Sequence, residues 1–322
     1  MATVPEKDVV VAPAQRQGVV TPAAGGSKRQ LRPFAAGGSQ SFLPVAVYRA
    51  RSIARRAVTY VVLILLALVT IFPLVWMLST SVKDPQDVFS GSLLPTTIRL
   101  SNYQQVWIDI ELPHHFANSL FVAVMTVAIV VAASTLAGYA FARFEFPARD
   151  VIFYIFLASL MIPGQVILIP MFTFLKGIGL LNTLPGLSLS YLGGSLPFAI
   201  FLMRAFFKTL PNELADAGKI DGCSDVGVFV RIFLPLARPG VATITIFQFV
   251  NTWNEFLFAT TFISTPDLKT LQSALYLVVG RYSTDWTLLS AALIMAITPI
   301  IVVYLLLQRQ FFKGLTAGAI KG

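Results

Sequence analysis

Six apolar stretches, each long enough to cross a lipid bilayer, restrict this chain more than any other feature of its sequence. A membrane-spanning helix needs about 20 predominantly apolar residues. Hydrophobic residues make up 56% of the 322 residues and charged residues only 12%, which is too apolar for a soluble domain of this length. The sequence therefore predicts an all-α, polytopic membrane protein with six transmembrane helices. They are expected at residues 57–78, 119–141, 151–174, 184–207, 240–263 and 287–307.

The distribution of basic residues predicts the orientation of these spans. An even number of spans places both termini on the same side of the membrane. With a cytoplasmic N-terminus, 19 of the 24 Lys and Arg residues lie inside and five lie outside. Because cytoplasmic loops carry the excess of basic residues, we expect an N-in, C-in protein of the inner (cytoplasmic) cell membrane. The net charge of +9 then reports orientation, and nucleic-acid binding is the weaker interpretation of the same basicity.

The fifth predicted span carries polar side chains among its apolar ones. At 100° per residue, Thr245, Gln248, Asn251, Thr252 and Glu255 share one face of the helix. Polar groups that face lipid would lose hydrogen bonds at a cost of several kcal/mol. The face therefore lines either a substrate path or a static network between helices. Glu255 is the only acidic residue within the six predicted spans.

The third and fourth predicted spans contain residues that disturb helices. Pro163-Gly164 and Pro170 are expected to interrupt the third span, and Gly193-Gly194 and Pro197 the fourth. Such interruptions suit a segment that moves or lines a cavity, whereas kinks that only improve helix packing are the alternative.

A polar loop at residues 208–238 separates the fourth and fifth spans. Asn212 is a candidate N-cap for a first short helix, and Asp221-Gly222 is a typical turn sequence. A second amphipathic helix is predicted to end at Leu234-Pro235, because four apolar residues recur at i, i+3, i+4 and i+7. They are Val226, Phe229, Val230 and Phe233. This helix-turn-helix either lies on the lipid surface or projects towards a soluble partner.

The spacing within this loop resembles a known signature. Asp216-Ala217-Gly218, three residues, Gly222, nine residues and then Ile232-x-Leu234-Pro235 are similar to the EAA motif of permease subunits in ATP-binding-cassette (ABC) importers. That motif reads EAA-x3-G-x9-I-x-LP. The sequence departs from it at Asp216, where Glu is usual, and at Gly218, where a second Ala is usual.

Further motifs narrow the resemblance to carbohydrate importers, specifically to the second-subunit type of maltose permease. The resemblance covers residues 55–322. It is carried by Asn118-Ser119-Leu120, the GYAFARF run at 138–144 with Pro147, the GLLNT run at 179–183, Ile220-Asp221-Gly222, Trp253-Asn254-Glu255-Phe256, Gln308-Arg309 and the final segment 314–322.

The resemblance implies a domain organisation. It assigns residues 116–308 to a type-1 ABC transmembrane domain that includes the coupling loop 208–238. Residues 48–115 then hold the first transmembrane helix and an outer loop. Residues 1–47, which lack hydrophobic periodicity, are expected to form a disordered cytoplasmic tail. Residues 309–322 form a cytoplasmic C-terminal tail.

The resemblance also implies partners and sites. The partners are a second permease subunit in a heterodimer, two cytoplasmic ABC ATPase subunits, an extracytoplasmic solute-binding protein, the sugar and membrane lipid. A di- or oligosaccharide is the expected substrate. The expected ATPase-coupling residues are Glu213, Asp216, Ala217, Gly218, Asp221, Gly222, Ile232, Leu234 and Pro235. The expected translocation path comprises Gln248, Asn251, Thr252, Asn254 and Glu255.

No catalytic, metal or cofactor site is expected within this chain. The sequence contains no GxxxxGK[ST] phosphate-binding loop, so ATP hydrolysis is assigned to a partner. His114 and His115 have no third metal ligand nearby in the sequence and are interpreted as polar interface residues. A secondary transporter driven by an ion gradient is the alternative function, and it rests on Glu255 alone.

Overall fold

A computed structural model describes residues 45–109, 111–281 and 285–319, and most of them lie in helices. Four helices are long and apolar enough to cross a membrane, and two bent pairs of helices could each supply one more span. The all-α prediction is confirmed, with four to six candidate spans. The helices are α1 (Val45–Thr80), α2 (Ser101–Asp109), α3 (Leu112–Arg143), α4 (Arg149–Ser159), α5 (Gly164–Gly177), α6 (Leu184–Thr209), α7 (Glu213–Ile220), α8 (Asp225–Val228), α9 (Leu234–Leu236), α10 (Arg238–Trp253), α11 (Leu257–Phe262), α12 (Leu271–Arg281) and α13 (Trp286–Ala319).

Two compact units divide the chain, Met1–Leu63 and Ile64–Gly322. The described part of the first unit is the N-terminal portion of α1, whose side chains from Ile53 onward are exposed. Most of the predicted N-terminal tail, residues 1–44, lies outside the described residues, and positions 45–47 already belong to α1.

The described part of the predicted C-terminal tail is helical. Helix α13 continues from Trp286 to Ala319, so no break separates the last span from the predicted tail at residue 309. Residues 320–322 lie outside the described part of the chain.

Helices α3 and α6 form the central pair of the second unit. A Cβ atom added at Gly138 of α3 would lie 2.5 Å from Cβ of Met203 and 2.9 Å from the backbone nitrogen of Arg204, both on α6. Only glycine allows the two backbones to approach so closely. Met203 is fully buried beside this contact. The α3–α6 pair is therefore a tightly packed support for the elements around it.

Helix α10 packs against both α3 and α13. Trp253 of α10 is 1% exposed and donates its indole N–H to the carbonyl of Ala296 on α13 at 3.0 Å. Its ring stacks on Phe249 with the centroids 5.5 Å apart and meets Phe116 of α3 edge-on. A large aromatic group with a satisfied polar atom thus joins three helices.

The predicted interruptions are partly confirmed. Helices α4 and α5 meet at 100° across Pro163-Gly164, as predicted. Pro170, however, lies inside α5, and α6 runs without a break through Gly193-Gly194 and Pro197. The predicted interruptions at those positions are wrong. Residues 160–163 are exposed, whereas α6 packs along α3, so tertiary contacts keep α6 continuous where the local sequence alone would weaken it.

The fifth predicted span is shorter than expected. Helix α10 ends at Trp253, and a separate helix α11 begins at Leu257. The prediction of one continuous helix over residues 240–263 is therefore wrong. The side chain of Glu255 binds the first amides of α11 and stabilises the interruption, as described below.

Substituting Gly138 should test the close α3–α6 contact. Gly138→Ala places a methyl group against backbone and Cβ atoms that cannot rotate away. We expect a loss of about 1–3 kcal/mol in unfolding free energy, measured in detergent by tryptophan fluorescence. Gly177→Ala is the matched control because nothing lies within 4 Å of an added Cβ there. A loss as large for Gly177→Ala as for Gly138→Ala would contradict this packing.

Candidate functional site

A cavity of about 200 Å³ lies between α5, α6 and α10. Four of the residues predicted for the translocation path line it, namely Gln248, Asn251, Thr252 and Glu255. Asn254 lies away from the cavity, and its amide donates back to the carbonyl of Val250 at 3.0 Å. The structure thus brings four of the five predicted path residues together.

Thr245 does not share the face on which it was predicted. It lines a separate apolar groove of about 910 Å³ between α3, α10 and α13, and its hydroxyl donates to the carbonyl of Val241. Thr245 lies two turns before Thr252 on α10, and the polar stripe does not extend that far. The helical-wheel prediction is therefore wrong for Thr245.

Helix α6 supplies a second wall of the cavity. Gly193-Gly194 lie in this wall, in agreement with the cavity-lining interpretation of that segment, whereas its other residues were not predicted. Its contributions are small or aromatic: Ser190, Tyr191, Gly193, Gly194 and Ser195. A Cβ atom added at either glycine would have no neighbour within 4 Å, so these positions widen the cavity without breaking the helix. The recurrence of Ser190, Gly193 and Gly194 at i, i+3 and i+4 was a signal that could have revealed this wall.

Glu255 is held by hydrogen bonds within the protein. One carboxylate oxygen accepts the Phe258 amide at 2.8 Å. The other accepts the Ala259 amide at 3.0 Å and the Tyr191 hydroxyl at 2.7 Å. The carboxylate therefore caps the N-terminus of α11 and joins it to α6. This arrangement favours the static-network interpretation for Glu255.

The amides on the same wall differ in what they bind. Gln248 donates to the Thr252 hydroxyl at 2.9 Å, and both residues are buried. Asn251 is exposed to the cavity, and within the described residues its side chain makes no hydrogen bond. Its amide can therefore both donate to and accept from a polar ligand. Among the predicted path residues, Asn251 is the one best placed to bind a hydroxyl-rich molecule.

The second site is the loop between α6 and α10, which forms a compact helical projection. Helix α7 ends at the predicted Asp221-Gly222 turn, where Gly222 adopts a φ of 82° that favours glycine. Ser224 then caps α8 by accepting the Gly227 amide at 3.2 Å, a cap that the sequence analysis missed. The turn prediction is confirmed.

Asn212 does not cap α7 as predicted. Its backbone is itself helical, and its side chain makes no capping hydrogen bond. Instead, its side-chain oxygen accepts a hydrogen bond from Arg143 at the end of α3. A long-range contact, invisible in the local sequence, thus replaces the local cap.

The second helix of the loop buries a different face from the predicted one. Val226 and Val230 are 71% and 48% exposed, whereas Val228 and Phe233 are buried. The cause is a π-helical turn at Phe229–Phe233, in which the Leu234 amide donates to the carbonyl five residues earlier. Five-residue spacing places Val228 and Phe233 on the same side. The helix continues to Leu236, so the predicted end at Leu234-Pro235 is wrong.

Gly218 explains part of the motif spacing. It is buried where α7 crosses the second helix, and an added Cβ would lie 2.6 Å from Cδ1 of Ile232 and 3.1 Å from Cγ2 of Val228. Glycine at position 218, where Ala is usual in the motif, therefore leaves room for the side chain of Ile232. Gly218 and Ile232, from the two ends of the motif, therefore pack against each other across the loop.

The outer surface of the loop is exposed and mixed in character. Ile220 is 86% exposed beside the turn. Lys219 and Asp225 form an exposed ion pair at 3.1 Å that joins α7 to α8. The other predicted coupling residues are divided between exposed positions at Glu213, Asp216, Ala217, Asp221, Gly222 and Pro235 and half-buried positions at Ile232 and Leu234.

His114 and His115 connect α3 to the segment before α12. His114 Nε2 lies 2.6 Å from the carbonyl oxygen of Asp267, and His115 Nδ1 lies 2.9 Å from that of Lys269. The Asn118 amide donates to both carbonyls. The interpretation of these histidines as polar structural residues agrees with these contacts.

The chain is similar in sequence to known transport proteins. The sequence model of the binding-protein-dependent transport system inner membrane component family matches residues 133–316. The diacetylchitobiose uptake system permease protein NgcG of Streptomyces coelicolor is 35% identical over 268 residues, which are 82% of this chain and 89% of the relative. The trehalose transport system permease protein SugB of Mycobacterium tuberculosis is 34% identical over 84% of this chain and 99% of the relative.

The chain is also similar to a transporter of known structure. One chain belongs to the crystal structure of a bacterial ABC transporter involved in the import of the acidic polysaccharide alginate. It is 25% identical, with a TM-score of 0.73 over 81% of this chain and 98% of that chain.

The contact between Gly218 and Ile232 predicts a coupled pair of substitutions. Gly218→Ala should destabilise the projection by about 1–3 kcal/mol, because its methyl group overlaps Ile232. Ile232→Val removes the clashing Cδ1, so the double variant should be more stable than the sum of the two single effects. Thermal unfolding of the four proteins in detergent measures the coupling. Strictly additive effects would contradict the contact.

Glu255 and Asn254 should differ in their effect on stability. Glu255→Ala leaves two amides of α11 and the Tyr191 hydroxyl without their acceptor, which should cost about 1–3 kcal/mol. Asn254→Ala removes only an exposed amide and should change stability by less than about 0.5 kcal/mol. Chemical denaturation in mixed micelles measures both. An equal or larger loss for Asn254→Ala would refute the capping role of Glu255.

Proposed function

The chain belongs to the family of binding-protein-dependent transport system inner membrane components, and we propose from its two sites how it works as a permease subunit of an ABC importer. It is a multi-pass protein of the cell membrane. It is a transport subunit and is not itself an ATPase, in agreement with the lack of a phosphate-binding loop motif in its sequence.

The proposed topology has six spans with both termini in the cytoplasm. The bent pair α4–α5 supplies the third crossing, α10 with α11 supplies the fifth, and the excess of Lys and Arg marks the inner side. In this orientation the loop 208–238 lies in the cytoplasm. The segments at 79–118 and 264–286 then face outward, where a solute-binding protein would dock.

The single observation that carries the proposal is that one helix, α6, connects the cavity with the cytoplasmic projection. Its middle supplies Tyr191 and the glycine pair to the cavity, and its end leads directly into α7. Exposed apolar side chains at Ile220 and Val226 suit burial in a cleft of a soluble partner. We therefore assign the projection to the binding of one ATPase subunit, and the second permease subunit would bind the other.

The proposed cycle is alternating access. Closure of the ATPase pair on ATP binding moves the projection, and α6 transmits the movement to the cavity wall. The cavity then changes its exposure between the two sides of the membrane. ATP hydrolysis by the partner resets the cycle.

The proposed substrate is a di- or oligosaccharide. The named functions of the relatives NgcG and SugB are diacetylchitobiose uptake and trehalose transport. In this chain, the Asn251 amide and the rings of Tyr191 and Phe258 offer the polar and aromatic contacts that sugars need. Ligand sites usually enclose about 300–1,000 Å³. The cavity of about 200 Å³ therefore suits half of a path that a second permease subunit completes.

The alternative of an ion-driven secondary transporter has little support from the site. Proton coupling would need a carboxyl group that can release and rebind a proton during transport. Both oxygens of Glu255 are occupied by amides and a hydroxyl of the protein. We therefore assign Glu255 to the structure of the cavity wall.

Gly222→Pro should separate insertion from transport. The glycine adopts a φ of 82° and donates its amide to Lys219, and proline allows neither. We expect the variant to insert into the membrane but to support less than about a tenth of wild-type uptake, because the projection loses its turn. The measurement is ATP-dependent uptake of radiolabelled trehalose and diacetylchitobiose by vesicles that contain the complete importer.

Gly227→Ala is the control for this experiment, since an added Cβ at that position makes only ordinary contacts. It should transport like the wild type. Undiminished ATP-dependent uptake by Gly222→Pro would contradict the coupling role of the projection. Uptake by the wild type that requires an ion gradient and no ATP would favour the secondary-transporter alternative.

A further inference from the structure

The guanidinium group of Arg143 lies where three parts of the molecule meet. Arg143 is the last residue of α3. Its Nη2 atom donates to the carbonyls of Phe207 at 2.6 Å and Leu210 at 2.7 Å, at the end of α6. Its Nη1 atom donates to the side chain of Asn212, immediately before α7.

The same group also contacts the second half of the projection. Its Cζ atom lies 4.5 Å from the ring centroid of Phe233, in the π-helical turn. Phe233 is fully buried. A cation over a desolvated ring is attracted to it more strongly than at an exposed site. One side chain of α3 therefore binds α6 and both helical halves of the projection.

Electrostatics favours a cation at this position. The last carbonyls of a helix have no partner within the helix and carry a partial negative charge. Arg143 supplies donors to two carbonyls at this end of α6, of which that of Phe207 also accepts the Leu210 amide. Phe233 offers the negative face of its ring from the other side. The site is thus built for a planar cation with several donors in a fixed geometry.

The residue one turn earlier on α3 continues this contact surface. The ring of Tyr139 lies 4.8 Å from that of Phe229 and 5.3 Å from that of Phe233. It also meets Phe207 of α6 at 5.4 Å. Gly138 beside it allows the close α3–α6 approach. The projection therefore rests on a surface made by two helices that cannot readily slide past each other.

We propose that Arg143 is a positioning residue that fixes the projection to the α3–α6 pair, so that the two move as one body when the ATPases close. The inference rests on the proposed function, because it assigns the movement of the projection to transport. Without this attachment, the projection would pivot about residues 210–212 and its movement would not reach the cavity. Arg143 contributes geometry to coupling and does not touch the substrate.

Arg204 provides a matched control on the same helix pair. Its guanidinium stacks over Phe153 at 3.9 Å and donates to the carbonyl of Phe141 and to Asp150. It thus combines the same kinds of contact as Arg143, but within the part formed by α3, α4 and α6. Its contacts do not include the projection.

Distance measurements by electron spin resonance test the proposal in the complete importer. One nitroxide label goes on the native Cys223 in the projection and the other on Leu136→Cys, an exposed position of α3. The partner subunits are made free of cysteine, and the complex is studied in lipid nanodiscs with and without ATP and vanadate. A second pair, Leu136→Cys with Phe201→Cys in a Cys223→Ser background, reports the α3–α6 distance.

The wild type and Arg204→Lys should show a narrow distance between the projection and α3 that is the same in both nucleotide states. Arg143→Lys and Arg143→Gln should broaden this distribution at least about twofold, because neither side chain can reproduce the guanidinium fork. The α3–α6 distance should stay unchanged, and the ATPases should still copurify. Arg143→Lys distinguishes geometry from charge alone.

Wild-type widths in both Arg143 variants would overturn the proposal. Equal broadening by Arg204→Lys, or broadening of the α3–α6 distance together with that of the projection, would also overturn it, since either result indicates a general loss of structure. Failure of the proposed function would be seen separately, as a wild-type complex whose ATPases do not copurify.

Discussion

The close approach of α3 and α6 at Gly138 is the contact on which the rest of the structure depends. An added Cβ at this position would lie 2.5 Å from Met203. Because the two backbones touch, α3 and α6 form one surface. Arg143 and Tyr139 on this surface contact the projection, and α6 also lines the cavity. Helix α6 thus connects the cavity, which its residues line, with the projection that follows its C-terminal end.

Much of the architecture follows from the apolar pattern of the sequence. In a bilayer, a single apolar segment can make all the hydrogen bonds of its own backbone only as a helix. The positions of the first, second, fourth and sixth spans agree with long helices. The helical wheel also predicted that Gln248, Asn251 and Thr252 share one face, and all three line the same cavity. The local sequence pattern was sufficient to predict these features, since each of them depends on one helix alone.

The failures have two physical causes: side chains made contacts other than the expected ones, and a turn of the backbone departed from α-helical spacing. Asn212 binds Arg143 instead of capping its own helix. Glu255 stabilises a helix interruption within the fifth span, so the residue that suggested a transported proton has a structural partner on α6. The π-helical turn at Phe229–Phe233 changed the buried face of the projection. None of these contacts leaves a periodic signal in the sequence.

The central claim is that the projection is where the ATPases bind, and a photo-crosslinker at Ile220 tests it most directly. This side chain is 86% exposed beside the turn. In membranes that contain the complete importer, irradiation should join the chain to an ATPase subunit, and a crosslinker at the exposed Met161, between α4 and α5, should not. Adducts from Ile220 to lipid alone, with the ATPases present and active, would contradict the account.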